Sequence, residues 1–195
     1  MDAAIEWTPK ARAVLDAASD LFYAHGIHAV GVDTIARHAG VTKKTLYDRF
    51  SSKERLVVEY LAHRDRQWRD FLDPWLESAG DDPEARLAAV FDAAAAWASE
   101  RGGKGCAVIN AHAEISDPDH PAYPVILGQK QWMLALFTQI AADAGVDAPT
   151  ATGKELMLVH EGAVVTAGMQ VFDEAFASAR DLAMAVLAAR RGRTD

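Results

Sequence analysis

The stretch VDTIARHAGVTKKTLYDRF at residues 32–50 has the pattern of two short helices joined by a tight turn. Helical spacing lets Ile35 of the first helix and Leu46 and Phe50 of the second face a common core. Gly40 suits a turn position that requires a positive φ angle. Two short helices with a glycine-containing turn between them are typical of a helix-turn-helix, whose second helix enters the major groove of DNA.

The polar side chains of the second helix are the candidate DNA contacts. Thr42 can cap this helix, and Lys43 and Lys44 lie in its first turn, where they can donate to guanine O6 and N7. Tyr47 and Lys53 suit phosphate oxygens, which position a protein without reading sequence. The predicted DNA-binding residues are Thr42, Lys43, Lys44, Thr45, Tyr47, Arg49 and Lys53. The competing interpretation is an amphipathic helix pair with a solvated polar face.

The charge distribution favours one local contact with a polyanion. The chain of 195 residues has a net charge of −8, which disfavours general affinity for nucleic acids. Residues 34–55 nevertheless carry six basic and two acidic side chains, a balance of +4. From Asp65 onward there are 11 basic and 20 acidic side chains, a balance of −9. The basic segment coincides with the helix-turn-helix pattern and so indicates an anionic partner at that place.

Helical periodicity recurs along the chain and predicts an all-α protein of about nine helices. Segments rich in Gly, Pro, Ser and Asp separate the periodic stretches, most clearly SAGDDP at 78–83 and SDPDHPAYP at 116–124. The predicted helices cover about residues 9–25, 32–39, 42–50, 53–73, 84–100, 106–116, 125–144, 154–171 and 174–190.

Three of these helix ends rest on specific signals. The pattern SSKE at 51–54 predicts a capping box with Ser51 as the cap of the fourth helix. That helix is expected to end near residue 73, because Pro74 disfavours helical backbone in the residue before it. The stretch GVDAPTATG at 145–153 is expected to be a loop.

The segment GVDTIARHAGVTKKTLYDRFSSKE resembles the DNA-binding head of TetR-type bacterial transcription regulators. The matching positions are Ile35-Ala36, Ala39-Gly40-Val41, Thr42, Lys43, Leu46-Tyr47, Phe50 and Lys53-Glu54. This resemblance implies a three-helix head at 1–53 and a larger helical body at 54–195, with helix 53–73 as the connector. It also implies that the body dimerises and holds a pocket for a small-molecule effector. The segment GKGCAVINAHAEI is similar to one common in a branch of the family.

The head departs from the family pattern at several positions. Gly31 and Val32 supply no hydroxyl group where the family often has Ser or Thr at the start of the second helix. Lys44 occupies a position that is often Gly, Ala or Pro. Asp48 and Arg49 stand where an aromatic residue or His is common. The operator sequence therefore cannot be carried over from relatives.

The last two predicted helices carry the signals for dimerisation. The segment LMLV at 156–159 is apolar on every face, and a helix apolar all round must be buried all round. GAVVTAGMQ at 162–170 places small residues at helical spacing, which allows close approach of another helix. The predicted dimer interface consists of Leu156, Val159, Ala163, Ala167, Leu182 and Val186. A purely intramolecular core is the alternative.

Large apolar residues with a few polar ones in the body are candidates for an effector pocket, because such sites are mostly apolar with a few orienting groups. The predicted lining residues are Trp97, Cys106, Asn110, His112, Trp132, Met133, Phe137 and His160. Each of them could equally be an ordinary core residue, and bulky packing alone could explain the tryptophans.

Other chemistries have little support in the sequence. His112 and Glu114 stand two residues apart and point in different directions on a helix, which disfavours a metal site. The sequence has no glycine-rich phosphate loop, nucleophile elbow or HExxH motif. Cys106 is the only cysteine, so an intrachain disulfide is excluded, while a redox role stays open. We therefore expect no catalytic residue, metal or cofactor.

These features predict a homodimeric, sequence-specific transcription regulator, most simply a repressor released from an inverted-repeat DNA operator by a small-molecule effector. No apolar run reaches the roughly 18 residues that cross a bilayer, and the N-terminus does not resemble a secretory signal. We therefore expect a cytoplasmic protein without a membrane partner. The alternatives are a ligand carrier or enzyme whose helix-turn-helix no longer binds DNA, and a DNA-binding regulator without an effector pocket.

Overall fold

The computed structural model describes residues 5–191, and within them the protein forms nine α-helices and no strand. The helices are α1 (Pro9–His25), α2 (Val32–His38), α3 (Lys43–Phe50), α4 (Lys53–Ala79), α5 (Pro83–Arg101), α6 (Ala107–Glu114), α7 (Tyr123–Asp143), α8 (Pro149–Met169) and α9 (Ala175–Arg191). The predicted all-α class is confirmed. Residues 1–4 of the predicted head and residues 192–195 of the predicted body lie outside the described residues.

Capping side chains and glycines set the ends of the first helices. Thr8 caps α1 by accepting a hydrogen bond of 3.2 Å from the backbone N–H of Ala11, and Pro9 occupies the first helical position. Gly26 follows α1 with a φ of 91°, and Gly40 lies between α2 and α3 with a φ of 65°. Both glycines therefore occupy backbone conformations that other residues rarely adopt.

The expected end of α4 near residue 73 was wrong, because the helix continues through Pro74 to Ala79. Apolar residues on both sides of the proline pack against one core: Leu72 is fully buried, and Trp75 and Leu76 are partly buried against it. Pro74 itself is exposed, so the carbonyl group that its missing N–H leaves unpaired can bond water. Core packing thus outweighs the local preference to end the helix.

The predicted cap of α4 was also wrong by one residue. The Ser52 hydroxyl accepts a hydrogen bond of 3.1 Å from the backbone N–H of Arg55 and so caps the helix. Ser51 instead ends α3, with a φ of 61° and its backbone N–H bonded to the carbonyl of Tyr47. This positive φ differs from the extended backbone of a residue that caps the start of a helix, so Ser51 does not cap α4.

The expected loop at 145–153 was wrong in its second half, because α8 begins at Pro149. Proline is favoured at a first helical position, where its missing N–H would have no partner in any case. Gly153 lies close to α7: a Cβ there would be 2.8 Å from the backbone nitrogen of Thr138. The glycine that suggested a loop therefore permits close contact between two helices.

The described chain divides into two compact units, each built around its own core. The first comprises Met1–Asp65 and Ala107–Leu127, and the second comprises Arg66–Cys106 and Gly128–Asp195. The first unit thus includes α6 and the part of α4 up to Asp65, and the rest of α4 belongs to the second unit. In the second unit, α5, α8 and α9 pack against one another around a large apolar cluster.

None of the helices that the structure describes is both long and apolar enough to cross a membrane.

Candidate functional site

Helix α3 is the candidate recognition helix, and its apolar side is anchored in the first unit. Leu46 and Phe50 are fully buried, as are Ile35 and Ala36 on α2. The ring of Trp7 meets the edge of Phe50 with ring centroids 6.2 Å apart. The opposite side of α3 is therefore held toward solvent, in the orientation that the sequence predicts.

The predicted DNA contacts on this helix form one exposed surface. Thr42, Lys43, Lys44 and Tyr47 are exposed, and Thr45 is half-buried. The Thr42 hydroxyl accepts a hydrogen bond of 3.1 Å from the backbone N–H of Thr45, and the two hydroxyl groups are 2.9 Å apart. Thr42 thus caps α3 and fixes the start of the helix that would enter a DNA groove.

Two lysines on this surface bond carboxylates in the free protein. Lys43 Nζ lies 3.0 Å from an oxygen of Asp33 on α2, and Lys44 Nζ lies 2.9 Å from an oxygen of Asp48. The hydrogen bond that Lys43 donates to Asp33, together with the negative charge of that carboxylate, raises the pKa of Lys43. DNA contact by either lysine would require an exchange of its carboxylate partner for a base or a phosphate.

Arg49 has a carboxylate partner as well. Its guanidinium lies 2.7 Å from an oxygen of Glu6, in the segment before α1. The roles of Asp33 and Glu6 were not predicted from the sequence. The pairing of Lys44 with Asp48 has the spacing of four residues that joins side chains on one helix face, so that partner could have been found.

Lys53, the predicted phosphate contact, is the first residue of α4 and is half-buried. Its Nζ lies 5.9 Å from the ring centroid of Phe22 on α1, within the range of a cation–π contact. Its side chain therefore packs along the apolar part of α1.

The loop between α1 and α2 is held by a carboxylate that the sequence analysis considered only as a metal ligand. Glu114 at the end of α6 accepts hydrogen bonds from the backbone N–H groups of Ile27 at 2.9 Å and His28 at 2.7 Å. A Cβ at Gly26 would lie 3.0 Å from an oxygen of the same carboxylate, so glycine at this position relieves crowding against Glu114. Glu114 thus joins α6 to the loop that precedes the helix-turn-helix.

Aromatic residues predicted to line a pocket lie together in the second unit. Trp97 contacts the rings of Trp68 and Phe71 at centroid distances of 5.8 and 5.3 Å. Trp68 donates its indole N–H to the sulfur of Met133 at 3.4 Å. Trp132 stacks with the guanidinium of Arg69 at 4.1 Å. Met133 is fully buried and the two predicted tryptophans are half-buried, so they form part of one apolar core.

His160 lies deeper in that core. It is only 5% exposed and contacts the rings of Phe91 and Phe137 at centroid distances of 5.7 and 5.5 Å. Neither ring nitrogen has a hydrogen-bond partner in the protein. The structure therefore brings the rings of His160 and Phe137 together in the apolar core.

Asn110 and His112 are placed differently. Both are exposed on α6 and belong to the first unit, and His112 contacts the ring of Tyr123 at a centroid distance of 5.8 Å. These two residues are not buried among the apolar residues of the second unit.

Cys106 takes part in a charged cluster of the second unit. Lys130 on α7 donates to both carboxylate oxygens of Glu161 on α8 at 2.8 Å and lies 3.5 Å from the sulfur of Cys106. Burial alone would raise the pKa of Glu161, but the neighbouring imidazole of His160 and the ammonium of Lys130 outweigh it and lower the pKa to about 2. Glu161 and Lys130 thus form a stable, half-buried ion pair. Among the residues that the structure describes, no cluster of three or more potential ligands could hold a metal ion.

The predicted dimer residues fall into two groups. Leu156 and Ala163 are buried in the core of the chain itself and have almost no surface left for a partner. Leu182 is 54% exposed, while Val159, Ala167 and Val186 are half-buried. The sequence analysis missed the most exposed apolar residues of α8. Leu158 is 74% and Met169 is 70% exposed, and Val165 is exposed on the same face.

Three comparisons with known proteins bear on these sites. Residues 14–60, which contain the helix-turn-helix, match the family model described as bacterial regulatory proteins, tetR family. The HTH-type transcriptional activator FasR of Mycolicibacterium smegmatis is 31% identical over 138 residues, which are 69% of this chain and 60% of FasR. The HTH-type transcriptional regulator RutR of Escherichia coli is 40% identical over 67 residues, which are 34% of this chain and 28% of RutR. The chain thus aligns with less than two thirds of the length of either relative.

Similarity to solved structures extends over almost the whole chain. The crystal structure of a TetR-family transcriptional regulator from Streptomyces coelicolor has a TM-score of 0.82 and 31% identity, covering 94% of this chain and 89% of that one. A second structure, of a TetR-type regulator from Streptomyces avermitilis, has a TM-score of 0.71 and 26% identity, covering 91% of this chain and 98% of that one.

Proposed function

The chain belongs to the TetR family of bacterial regulatory proteins, and from this premise we propose that it is a homodimeric, sequence-specific DNA-binding transcription regulator. The observation that carries the proposal is the surface of α3, where Lys43, Lys44 and Tyr47 are exposed on a helix anchored by its buried apolar side. A short, firmly held helix with basic residues in its first turn has the form that reads a major groove.

The proposed DNA site is an inverted repeat. Each subunit inserts α3 into one major groove, and the two half-sites mirror the twofold symmetry of the dimer. Lys43 and Lys44 are the proposed base contacts, Tyr47 and Lys53 the proposed phosphate contacts, and Thr42, Thr45 and Arg49 complete the surface. The negative charge of the rest of the chain limits binding elsewhere on DNA.

The proposed dimer interface is the exposed face of α8 and α9. Leu158, Val165 and Met169 lie on one side of α8, and Gly162 between them has open space around the position of a Cβ. Leu182 is exposed on α9. A stripe of large apolar side chains around a small residue is suited to bury itself against the same stripe of a second copy.

The proposed direction of regulation is repression that a small-molecule effector relieves. Partly buried aromatic residues and the unpartnered His160 in the second unit support an effector site there. Helix α4 is the proposed connector to the head. The effector can shift the equilibrium only by its differential affinity for the two states, typically about 1–3 kcal/mol of coupling. FasR carries the name of an activator, so activation is the second candidate direction.

We also propose that the protein has no catalytic activity and acts in the cytoplasm. The relatives it resembles are named as transcription regulators, which supports a role on DNA. The competing function is a ligand carrier or an enzyme whose head does not bind DNA. A third candidate is a DNA-binding regulator without an effector.

The deciding experiment is selection of bound sequences from a random DNA duplex library with the purified protein at moderate salt. Enrichment of an inverted repeat is the expected result, and it would provide the probe for effector screening. No enrichment, with freshly purified protein and also with protein refolded after removal of bound small molecules, would contradict the proposed function. A reporter gene under the selected repeat then distinguishes repression from activation.

A further inference from the structure

Three buried polar side chains in the second unit, those of Gln129, Thr152 and His160, have polar atoms without a hydrogen-bond partner in the protein. His160 on α8 is 5% exposed, and both of its ring nitrogens are buried without a hydrogen-bond partner in the protein. Its ring nitrogen Nδ1 is 3.9 Å from Glu161, which is too long for a hydrogen bond. Gln129 on α7 is 7% exposed, and its side-chain oxygen is likewise buried without a partner. Such groups are uncommon in folded proteins, because leaving them unpaired is costly.

An ion pair joins the positions that directly follow Gln129 on α7 and His160 on α8. Gln129 precedes Lys130 on α7, and His160 precedes Glu161 on α8. Lys130 contacts both oxygens of Glu161 at 2.8 Å, so the neighbouring positions on the two helices lie close to each other. Each of these two unpartnered side chains is therefore the sequence neighbour of one member of this ion pair.

The surroundings of these two side chains are apolar. Phe91 and Phe137 contact the His160 ring, and Met133 lies one helical turn from Gln129 on α7. The only formal charges nearby on these two helices, within the part of the chain that the structure describes, are those of Lys130 and Glu161, and they neutralise each other.

We propose that His160 and Gln129 form the polar end of an effector site and bind the hydroxyl group of an uncharged, mostly apolar small molecule. This inference rests on the proposed function for its regulatory meaning, but the binding itself does not depend on DNA. A neutral imidazole offers one donor and one acceptor, and the Gln129 oxygen is an acceptor. A hydroxyl group can accept from the imidazole N–H and donate to the amide oxygen, which satisfies both side chains together.

Charged ligands fit this site poorly. A carboxylate would lie beside the anionic Glu161, and an ammonium group would find both oxygens of Glu161 already bonded to Lys130. An ether of the same shape accepts a hydrogen bond but cannot donate one, so it leaves the Gln129 oxygen unpaired. The hydroxyl group is therefore the feature that distinguishes the expected ligand.

The test is calorimetric binding to the whole protein without DNA. The probes are alkylphenols and straight-chain alcohols of graded size, each compared with its methyl ether and with the carboxylate of the same skeleton. We expect at least one hydroxyl compound to bind at least tenfold more tightly than its ether and its carboxylate. If no hydroxyl compound binds, or if ethers bind equally well, the proposal is overturned.

Two variants connect that binding to the named residues. His160→Leu and Gln129→Leu should each weaken binding of the hydroxyl compound at least tenfold. Gln129→Leu should leave binding of the ether almost unchanged, because an ether cannot donate to the Gln129 oxygen. Matched controls are His25→Leu and Gln139→Leu, which alter exposed residues of the same types on α1 and α7. Unchanged hydroxyl binding in both site variants would overturn the proposal.

The stability of the ligand-free variants gives a second, independent readout. Because the replaced polar atoms lack protein partners, His160→Leu and Gln129→Leu should have a Tm equal to or above that of the parent protein. A clear fall in Tm for both would indicate structural hydrogen bonds through ordered water and would contradict the proposal. If DNA selection fails while hydroxyl binding succeeds, the proposed function is wrong and this inference stands; the reverse results would reject only this inference.

Discussion

The carboxylate of Glu114 lies 2.7 Å from the backbone nitrogen of His28, 86 residues away in the sequence. A second bond of 2.9 Å joins the same carboxylate to the N–H of Ile27, so one side chain satisfies two backbone donors. These donors follow α1 and precede the helix-turn-helix, while Glu114 ends α6. These two hydrogen bonds therefore connect α6 directly to the loop that precedes α2.

Replacement of Glu114 by Ala should destabilise the first unit. It leaves the N–H groups of Ile27 and His28 without their protein acceptor, and a partly buried unpaired donor costs about 1–3 kcal/mol. Urea denaturation of Glu114→Ala should therefore show a free energy of unfolding lower by that amount. The control is Glu77→Ala, which removes an exposed carboxylate of α4 and should change the value by less than about 0.5 kcal/mol. Equal stability of the two variants would contradict this role of Glu114.

The carboxylate of Glu114 should also make the stability of the fold depend on pH. Partial burial would raise the pKa of Glu114, but the hydrogen bonds from His28 and Ile27 outweigh it, and the pKa lies below the ordinary value of 4.5. Because the folded-state pKa is the lower one, the carboxylate stabilises the fold fully above pH 4.5 and loses this effect as pH falls through the folded-state pKa. The stability difference between the parent and Glu114→Gln should be constant near neutral pH and should narrow below pH 4.5. If the stability difference between the two proteins widens as the pH falls, the lowered pKa of Glu114 is contradicted.

Neutralisation of Asp48, which forms an ion pair with Lys44, should increase the affinity of the protein for DNA. Asp48→Asn releases Lys44 and removes a negative charge from the surface that approaches DNA. An exposed ion pair of this kind is worth about 0.2–1 kcal/mol, so binding to all sequences should strengthen by up to about fivefold. Asp20→Asn, which removes an exposed charge from α1, is the matched control in a fluorescence titration. A loss confined to the selected operator would instead mean that Asp48 accepts a hydrogen bond from a cytosine.

Substitution of Lys43 or Lys44 should change the preference for DNA sequence, whereas substitution of Lys53 should not. Lys43→Ala and Lys44→Ala should each cost about 1–3 kcal/mol on the selected operator and relax the preference at one position, since a base contact is lost. Lys53→Ala should weaken binding to every sequence and lower the salt slope by about one unit, since a phosphate contact is lost. Titrations on the operator and on scrambled DNA at several salt concentrations measure both quantities. A uniform loss for Lys43 and Lys44 would make them phosphate contacts only.

The helix-turn-helix could be predicted because its signals are local. The cap at Thr42, the positive φ of Gly40 and the burial of Leu46 and Phe50 all follow from spacings of a few residues. The path of α4 through Pro74 could not be predicted, because it depends on packing by residues on both sides of the proline.

The details of the sites depend on partners that are distant in the sequence. Arg49 bonds Glu6 from 43 positions away, and Glu114 reaches the loop after α1 from 86 and 87 positions away. No periodicity links such residues. The apolar run at 156–159 correctly indicated burial around α8, but the sequence alone could not decide that Leu156 faces the chain's own core while Leu158 is exposed.

The exposed stripe on α8 gives the prediction for assembly. Leu158 is 74% exposed, and in the proposed dimer it becomes buried against the partner. Leu158→Glu would place a carboxylate from each subunit in that interface, where burial and like-charge repulsion both oppose association. Sedimentation should therefore show monomers at concentrations where the parent protein is a dimer, and operator affinity should fall with the loss of paired half-sites. The monomer should keep its helical circular dichroism, because the altered side chain lies outside the core.

Leu127→Glu is the matched control for this dimer test. Leu127 on α7 is 52% exposed but does not lie on the α8–α9 face, so the same substitution should leave the dimer intact. Leu156→Ala should behave differently from both, because this residue is fully buried in the core: its free energy of unfolding should fall by about 2–5 kcal/mol. If Leu158→Glu remains dimeric and Leu127→Glu is monomeric, the interface lies on the α7 surface and not on α8 and α9.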